Sequence, residues 1–420
     1  MSYTEAYLAY NAEATTAFTA VAAQKRILKE AGFTELSENR RWDLKPSCSY
    51  YVTRNDSALI AFRIPEDKPQ SARIIASHGD APSFKLKNTP GIDTVRPYVS
   101  LNVEGYGGAI LSTWFDRPLS IAGRVYVRNG SDIAMHTVDL DKDLCMIPSL
   151  AIHMDRDINK GHEFKIQKEL IPLFTLKEDL AVDDLIAAKL NVHASDIISS
   201  DLFLYNRQAP VRWGGAGEFL SAPRIDDSAC AYASLRAITE TEKASNLLIH
   251  VMFDHEEVGS SSLQGASSTF LADTVRRILL ALGMDEEEQM CFLAESFLVS
   301  ADNGHALHPN YPEKCDVTNR PVLGGGILLK FAGNQKYTTD ACSAAKMRLV
   351  AEQANIRLQN YHNHSDLPGG STLGNLSVHR VPVRSADMGI AQLAMHSSYE
   401  TCAVSDLSDL FIFSKQFYQS

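Results

Sequence analysis

Three short apolar runs constrain this chain more than anything else in it. They lie at residues 72–76 (ARIIA), 246–253 (NLLIHVMF) and 297–301 (FLVSA). Each has the length of a strand and lacks the alternation of a sheet with one wet face, so each predicts a strand covered on both sides. Each is followed within a few residues by an acid or a histidine: Ser77-His-Gly-Asp80, Asp254-His-Glu-Glu257 and Asp302-Asn-Gly-His305. Strands that end in such groups predict an α/β enzyme with its site along the carboxyl edge of the sheet.

The rest of the chain fits around that sheet. Residues 4–31 read as helical, with Phe18, Val21, Ala22 and Leu28 at helical spacing and Gly32 placed to end the run. Residues 89–222 change character. They hold alternating β-like pieces such as Gly123–Arg128, a charged helical stretch near 177–189, and a Gly-rich end at Trp213–Gly217. The expected organisation is therefore a catalytic α/β domain split into residues 1–88 and 223–420, with residues 89–222 inserted between the halves. Near the end, Ser397-Ser-Tyr-Glu400 fits a capping box opening a helix whose apolar stripe is Val404, Leu407, Leu410, Phe411 and Phe417.

Composition removes several classes of function. Forty basic and 51 acidic residues give a net charge of −11, which argues against a phosphate backbone as the main partner. No apolar stretch approaches the 18 or so residues of a membrane span. The first 20 residues contain Glu5 and Glu13 and do not read as a secretory signal. Seven scattered cysteines with no C-x-x-C pair read as reduced thiols, so a cytoplasmic protein is expected.

The chemistry-bearing residues form a consistent set. His78 can bind a metal while Asp80, two residues on, holds its other ring nitrogen. Arg224-Ile-Asp-Asp227 offers a carboxylate able to bridge two ions. In Asp254-His-Glu-Glu257 one glutamate can ligate while its neighbour takes a proton. Asp302 and His396 complete the inventory. Taken singly, each of these also fits a solvated turn or a structural histidine. Together, at strand ends and before a helix, they supply the five or six ligands that two ions need, with one glutamate left over as a base. His, Asp and Glu ligands suit zinc, cobalt or manganese. A single-zinc H-E-x-x-H helix is excluded because Gly259 stands where the second histidine belongs, and no nucleophile elbow or phosphate loop is present.

In this order and spacing the motifs resemble those of the aspartyl aminopeptidases, a family of dinuclear zinc exopeptidases. They are SHGD (77–80), AIHMDR (151–156), RIDD (224–227), DHEEVGS (254–260), SADNGHALHPNY (300–311), NQKY (334–337), LPGGSTLG (367–374) and QLAMHSSYE (392–400). The resemblance implies an α/β/α zinc-exopeptidase fold whose inserted β domain makes dimer contacts. It implies His78 and Asp302 on one zinc, Glu257 and His396 on the other, and Asp226 as the bridge. Glu256 then matches the general base and Asp80 the residue that orients His78. His305, Lys330 and Tyr337 match substrate contacts. His153 matches a residue that reaches a neighbouring subunit's site, in a family that assembles as dodecamers. Two departures flank matched positions: Gly79 where threonine is common, and Asp227 where asparagine is common.

The expected activity is removal of N-terminal residues from peptides, with acidic residues preferred and Lys330 as the local cation. A dinuclear aminopeptidase for neutral N-termini and a non-catalytic assembly protein are the alternatives.

Overall fold

A computed structural model of the chain describes residues 2–420 apart from Ala244, Pro368 and Ser371. Its centre is a nine-stranded mixed sheet. In spatial order the strands are Thr34–Leu36, Ser49–Arg54, Ala58–Arg63, Leu247–Phe253, Ala72–His78, Phe297–Ala301, Arg384–Gly389, Ile327–Phe331 and Leu358–His362. The three apolar runs are adjacent and parallel, with Phe253 opposite His78 and Ser300 opposite Ala76. Their carboxyl ends therefore deliver His78, residues 254–257 and Asp302 to one place.

Both faces of this sheet are covered, which is why the runs are continuously apolar. Alternate residues point to opposite sides. Ile75, Leu248, Met252 and Val299 pack under Ile225–Glu240, Ala341–Gln353 and Val404–Gln419. Ile74, Ile249, Val251 and Phe253 pack under Phe270–Ala281 and Glu286–Glu295.

A second, antiparallel sheet of six strands runs from Ser83–Val95 to Ile197–Asn206 along the chain and encloses its own core around Phe84, Trp114, Ile121, Ile186 and Leu202. The charged helical stretch expected near 177–189 forms as Val182–Leu190. A third sheet joins Val211–Trp213, Phe219–Ala222, Glu400–Ala403, Ala391–Leu393 and Gly304–His305.

Two local expectations are corrected. The opening segment is two helices, Tyr3–Glu13 and Ala17–Glu30, not one. Thr16 breaks the run by capping the second helix: its hydroxyl accepts from Thr19 N, and its own N–H donates to the Thr19 hydroxyl. Residues 397–400 do not open a helix. Glu400 begins the strand Glu400–Ala403, paired to Phe219–Ala222, and the last helix starts only at Val404. That pairing satisfies the backbone that a cap would have served.

His250 sits wholly buried in the central sheet. Nε2 donates to Gln24 Oε1 at 2.9 Å and Nδ1 accepts from the Ser234 hydroxyl at 2.8 Å, which satisfies the neutral ring. Burial lowers its pKa from the ordinary 6.5 to about 3. The unfolded chain takes up a proton near pH 6.5 that the folded chain refuses until about pH 3. Stability present above pH 6.5 is thus lost as pH falls through that window, by up to about 1.4 kcal/mol per pH unit. Denaturant titrations of the protein and of a His250→Gln variant between pH 4 and 8 will show a slope shallower by one proton in the variant; equal slopes would contradict the assignment.

Candidate metal centre

Asp226 lies at the middle of the site. It is buried at the start of Ile225–Glu240, and its peptide bond to Asp227 is cis. His78 Nε2 stands 3.7 Å from Asp226 Oδ1, and His396 Nε2 stands 3.6 Å from Asp226 Oδ2. Each oxygen of one carboxylate therefore faces a different imidazole. Glu257 Oε2 lies 3.3 Å from His396 Nε2.

Three overlapping groups can each converge on a cation, with ligand atoms all within 4.8 Å: His78, Asp226 and Asp302; Asp226, Glu257 and His396; and His78, Glu256 and Glu257. Asp226 Oδ1, Asp227 Oδ1 and Glu257 Oε1 are buried without a hydrogen-bond partner. Buried carboxylate oxygens left unpaired are costly, and a divalent cation is the partner that several at once would satisfy. The donor set fits zinc, which takes histidine and carboxylate ligands.

Without the cation, burial and mutual repulsion raise Glu257 well above the usual carboxylate range. Burial likewise brings Glu256 to about 7 and Asp302 to about 6. Asp226 is held low despite burial, because His396 and His78 face it. Asp227, which the sequence leaves as a bare extra charge beside the site, is buried; Oδ2 accepts from His78 N at 3.3 Å, and burial raises its pKa strongly.

Asp80 organises two of the strand ends. His78 Nδ1 lies 3.0 Å from the Asp80 main-chain oxygen and 3.4 Å from its Oδ1. The nearer partner is thus the carbonyl and not the side chain that sequence spacing points to. The carboxylate does more elsewhere: Oδ1 accepts from Glu256 N and Oδ2 from Glu257 N, both at 3.1 Å. The residue therefore aims His78 and holds the Glu256–Glu257 backbone together.

Two supporting residues were not foreseen. Tyr106, at the end of a strand of the second sheet, donates its hydroxyl to Asp80 Oδ2 at 2.7 Å. Glu400 is buried and accepts from Asp226 N at 2.9 Å and His396 N at 2.7 Å, tying together two of the converging residues, 170 positions apart. Tyr106→Phe removes one of the donors fixing Asp80. Lost outer contacts of this kind typically cost about 10–100-fold in metal affinity or activity. Competition with a graded chelator is expected to show metal binding at least tenfold weaker, and unchanged binding would remove Tyr106 from the site.

Of the remaining foreseen residues, Lys330 is buried. Nζ donates to the carbonyls of Asp302 and Asn303 at 3.0 and 2.9 Å, lies 3.7 Å from Asp302 Oδ2, and sits 4.9 Å over the Tyr337 ring. His305 is exposed at the mouth of a groove beside Asp302. His153 lies exposed in a turn of the second sheet's connecting loop and does not join the centre within this chain. Of the 367–374 motif, Pro368 and Ser371 lie outside the described residues.

Two glycines permit close approach. A Cβ on Gly389 would come within 2.0 Å of the Asp302 carbonyl oxygen. A Cβ on Gly79 would meet Met252 Sδ at 2.8 Å, so the departure at Gly79 complements Met252 in the neighbouring strand.

Comparison with known proteins shows the family. A model of the aminopeptidase I zinc metalloprotease (M18) family matches residues 10–418. A probable M18 family aminopeptidase 2 from Clostridium novyi is 41% identical over 402 residues, covering 93% of this chain and 92% of its own. A chain in the cryo-EM structure of the Ape4 and Nbr1 complex superposes with a TM-score of 0.95 at 33% identity, covering 99% of this chain and 85% of that one. The Saccharomyces cerevisiae mApe1 dodecamer gives 0.87 at 26% identity, with 99% and 96% covered. Fold and site are those of a metallopeptidase. The chain belongs to the M18 family of zinc aminopeptidases.

Proposed function

We propose that this aminopeptidase holds two zinc ions per subunit and removes acidic residues from peptide N-termini. The observation that carries the reading is the pair of ligand groups that share Asp226. His78 and Asp302 would hold one ion, Glu257 and His396 the other, and Asp226 both; cobalt or manganese suits the same donors. Bound zinc would supply Lewis acidity toward the scissile carbonyl and a lowered pKa for the attacking water. Glu256 would take that water's proton on its carboxylate and return it to the nitrogen of the leaving amine. Asp80 keeps Glu256 in place through its backbone N–H.

Lys330 is the candidate cation for an acidic first side chain, with Tyr337 and His305 beside it. The experiment is a panel of Asp-, Glu-, Leu- and Ala-substrates with and without chelator. Asp and Glu are expected to exceed Leu by about tenfold or more, and Lys330→Ala to erase that ratio. The same variant will lower all rates, since Lys330 also ties down the Asp302–Asn303 backbone. A wild-type ratio retained in the variant would reject the role, and a wild-type preference for Leu would favour a neutral-residue aminopeptidase.

We further propose that residues 89–222 act as an inserted dimerisation domain between catalytic parts 1–88 and 223–420. The separate core of the second sheet supports an insertion here, although that sheet begins at Ser83 and draws Phe84 and Leu86 from before the boundary, and strands Val211–Trp213 and Phe219–Ala222 join the third sheet instead. A homo-oligomer, with His153 completing a neighbour's site, is in keeping with the dodecameric relative. A cytoplasmic setting is favoured by seven free cysteines. Among the described residues no helix is long and apolar enough to cross a membrane.

A further inference from the structure

Beside the metal centre lies a groove of about 580 Å³. Ligand pockets for drug-sized molecules run to about 300–1,000 Å³, so this one takes a peptide segment and not a single side chain. Its inner wall is formed by His305, Gln392 and Leu393, from the paired strands Gly304–His305 and Ala391–Leu393, and by Ala394 just beyond them. Those strands lead directly from Asp302 and toward His396. Its outer wall carries His308, Lys314 and His364.

The chemistry of the outer wall is one-sided. His308 Nδ1 accepts from Asn310 N, and His364 Nδ1 accepts from Asp366 N, both at 3.2 Å. Each ring is thereby left with Nε2 as its donor. Lys314 is exposed and pairs with no carboxylate among the described residues. No described acid lines the groove: Glu313 and Asp366 do not reach its wall, and Asp316 is engaged by Thr318 and Asn319. In a chain of net charge −11 this is a local reversal of sign, and such reversals select oppositely charged partners. Lys330 and Tyr337, assigned above to the first residue, do not line it.

We propose that this groove receives the substrate chain beyond its first residue and selects carboxylate side chains at the second and third positions, through His308, Lys314 and His364. The proposal rests on the aminopeptidase reading and extends it: acidic peptides would be recognised along their length. Nothing in it depends on which residue is preferred first.

The test uses zinc-loaded full-length enzyme and three peptide amides, Asp-Asp-Asp-Ala, Asp-Ala-Ala-Ala and Asp-Lys-Lys-Ala, with release of the first residue followed at low salt. The acidic peptide is expected to exceed the basic one by about tenfold or more in kcat/KM. Within the His308→Gln, Lys314→Glu, His364→Gln triple variant that ratio is expected to fall below about twofold. Lys314→Glu alone, an exposed change, is expected to reduce it severalfold should the triple variant not fold. Cleavage of all three peptides within twofold by the wild type, or the wild-type ratio retained in both variants, overturns the groove assignment alone. Failure to cleave any of them rejects the acidic first-residue preference alone, and the same three-way comparison on Leu-Asp-Asp-Ala, Leu-Ala-Ala-Ala and Leu-Lys-Lys-Ala amides then decides the groove assignment by the same ratios.

Discussion

Exchanging Glu256 for glutamine is expected to lower kcat by a factor on the order of 10²–10⁴, the usual contribution of a positioned general base. The exchange is nearly isosteric, so metal content and Tm should stay within error of the wild type. The reason lies in how the two adjacent glutamates differ. Glu257 Oε1 is buried and unpartnered, and its Oε2 faces His396, which is the position of a ligand. Glu256 makes no such close approach to His396. Its backbone is fixed by Asp80. Before any cation binds, its burial raises the carboxyl from the usual carboxylate range to about 7. Glu257→Gln is the informative contrast. It should lose metal as well as turnover, because an amide oxygen is a poor substitute for an anionic ligand. Steady-state kinetics and metal analysis on both variants decide the matter. A Glu256→Gln enzyme with near-normal turnover, or one that has lost its metal, would remove the residue from the base role.

The sequence made the strand ends readable because strands buried on both faces become continuous apolar runs, and the change to polar residues marks their carboxyl ends. That is how His78, Glu256, Glu257 and Asp302 could be placed together before any coordinates. Glu400 was hidden by a competing pattern, since Ser-Ser-Tyr-Glu satisfies the spacing of a capping box. Only the pairing of Glu400–Ala403 with Phe219–Ala222 frees its carboxylate to hold Asp226 and His396. Tyr106 left no signal at all, because its partner Asp80 lies 26 residues back and only the antiparallel pairing of Ser83–Val95 with Tyr98–Tyr106, which sets Ser83 opposite Tyr106, brings them together. The two helices within 4–31 were legible in principle: Thr15-Thr16 is a start signal inside an apolar pattern.

Removing the metal is expected to abolish activity and also to destabilise the fold, and the second effect is the more diagnostic. Any ion that binds only the folded chain stabilises it, by about 4 kcal/mol at a free concentration 1,000-fold above its dissociation constant. In this chain the loss has a definite location. Asp226, Asp227 and Asp302 are all buried, with Glu257 against Asp226 and His396, and three of their oxygens have no other partner. Stripped of a cation, these groups are left to repel one another or to take up protons. Dialysis against a strong chelator should therefore lower Tm by several degrees. Adding back zinc should restore both Tm and activity, saturating at two equivalents on the proposed reading. Asp226→Ala separates a shared ligand from an ordinary one. If Asp226 serves both groups, the variant should lose both equivalents, whereas Asp302→Ala should lose chiefly one. Calorimetric titration of the stripped protein with zinc reads the count directly. A Tm indifferent to chelator, or saturation at a single equivalent with Asp226 intact, would refute the shared-carboxylate arrangement.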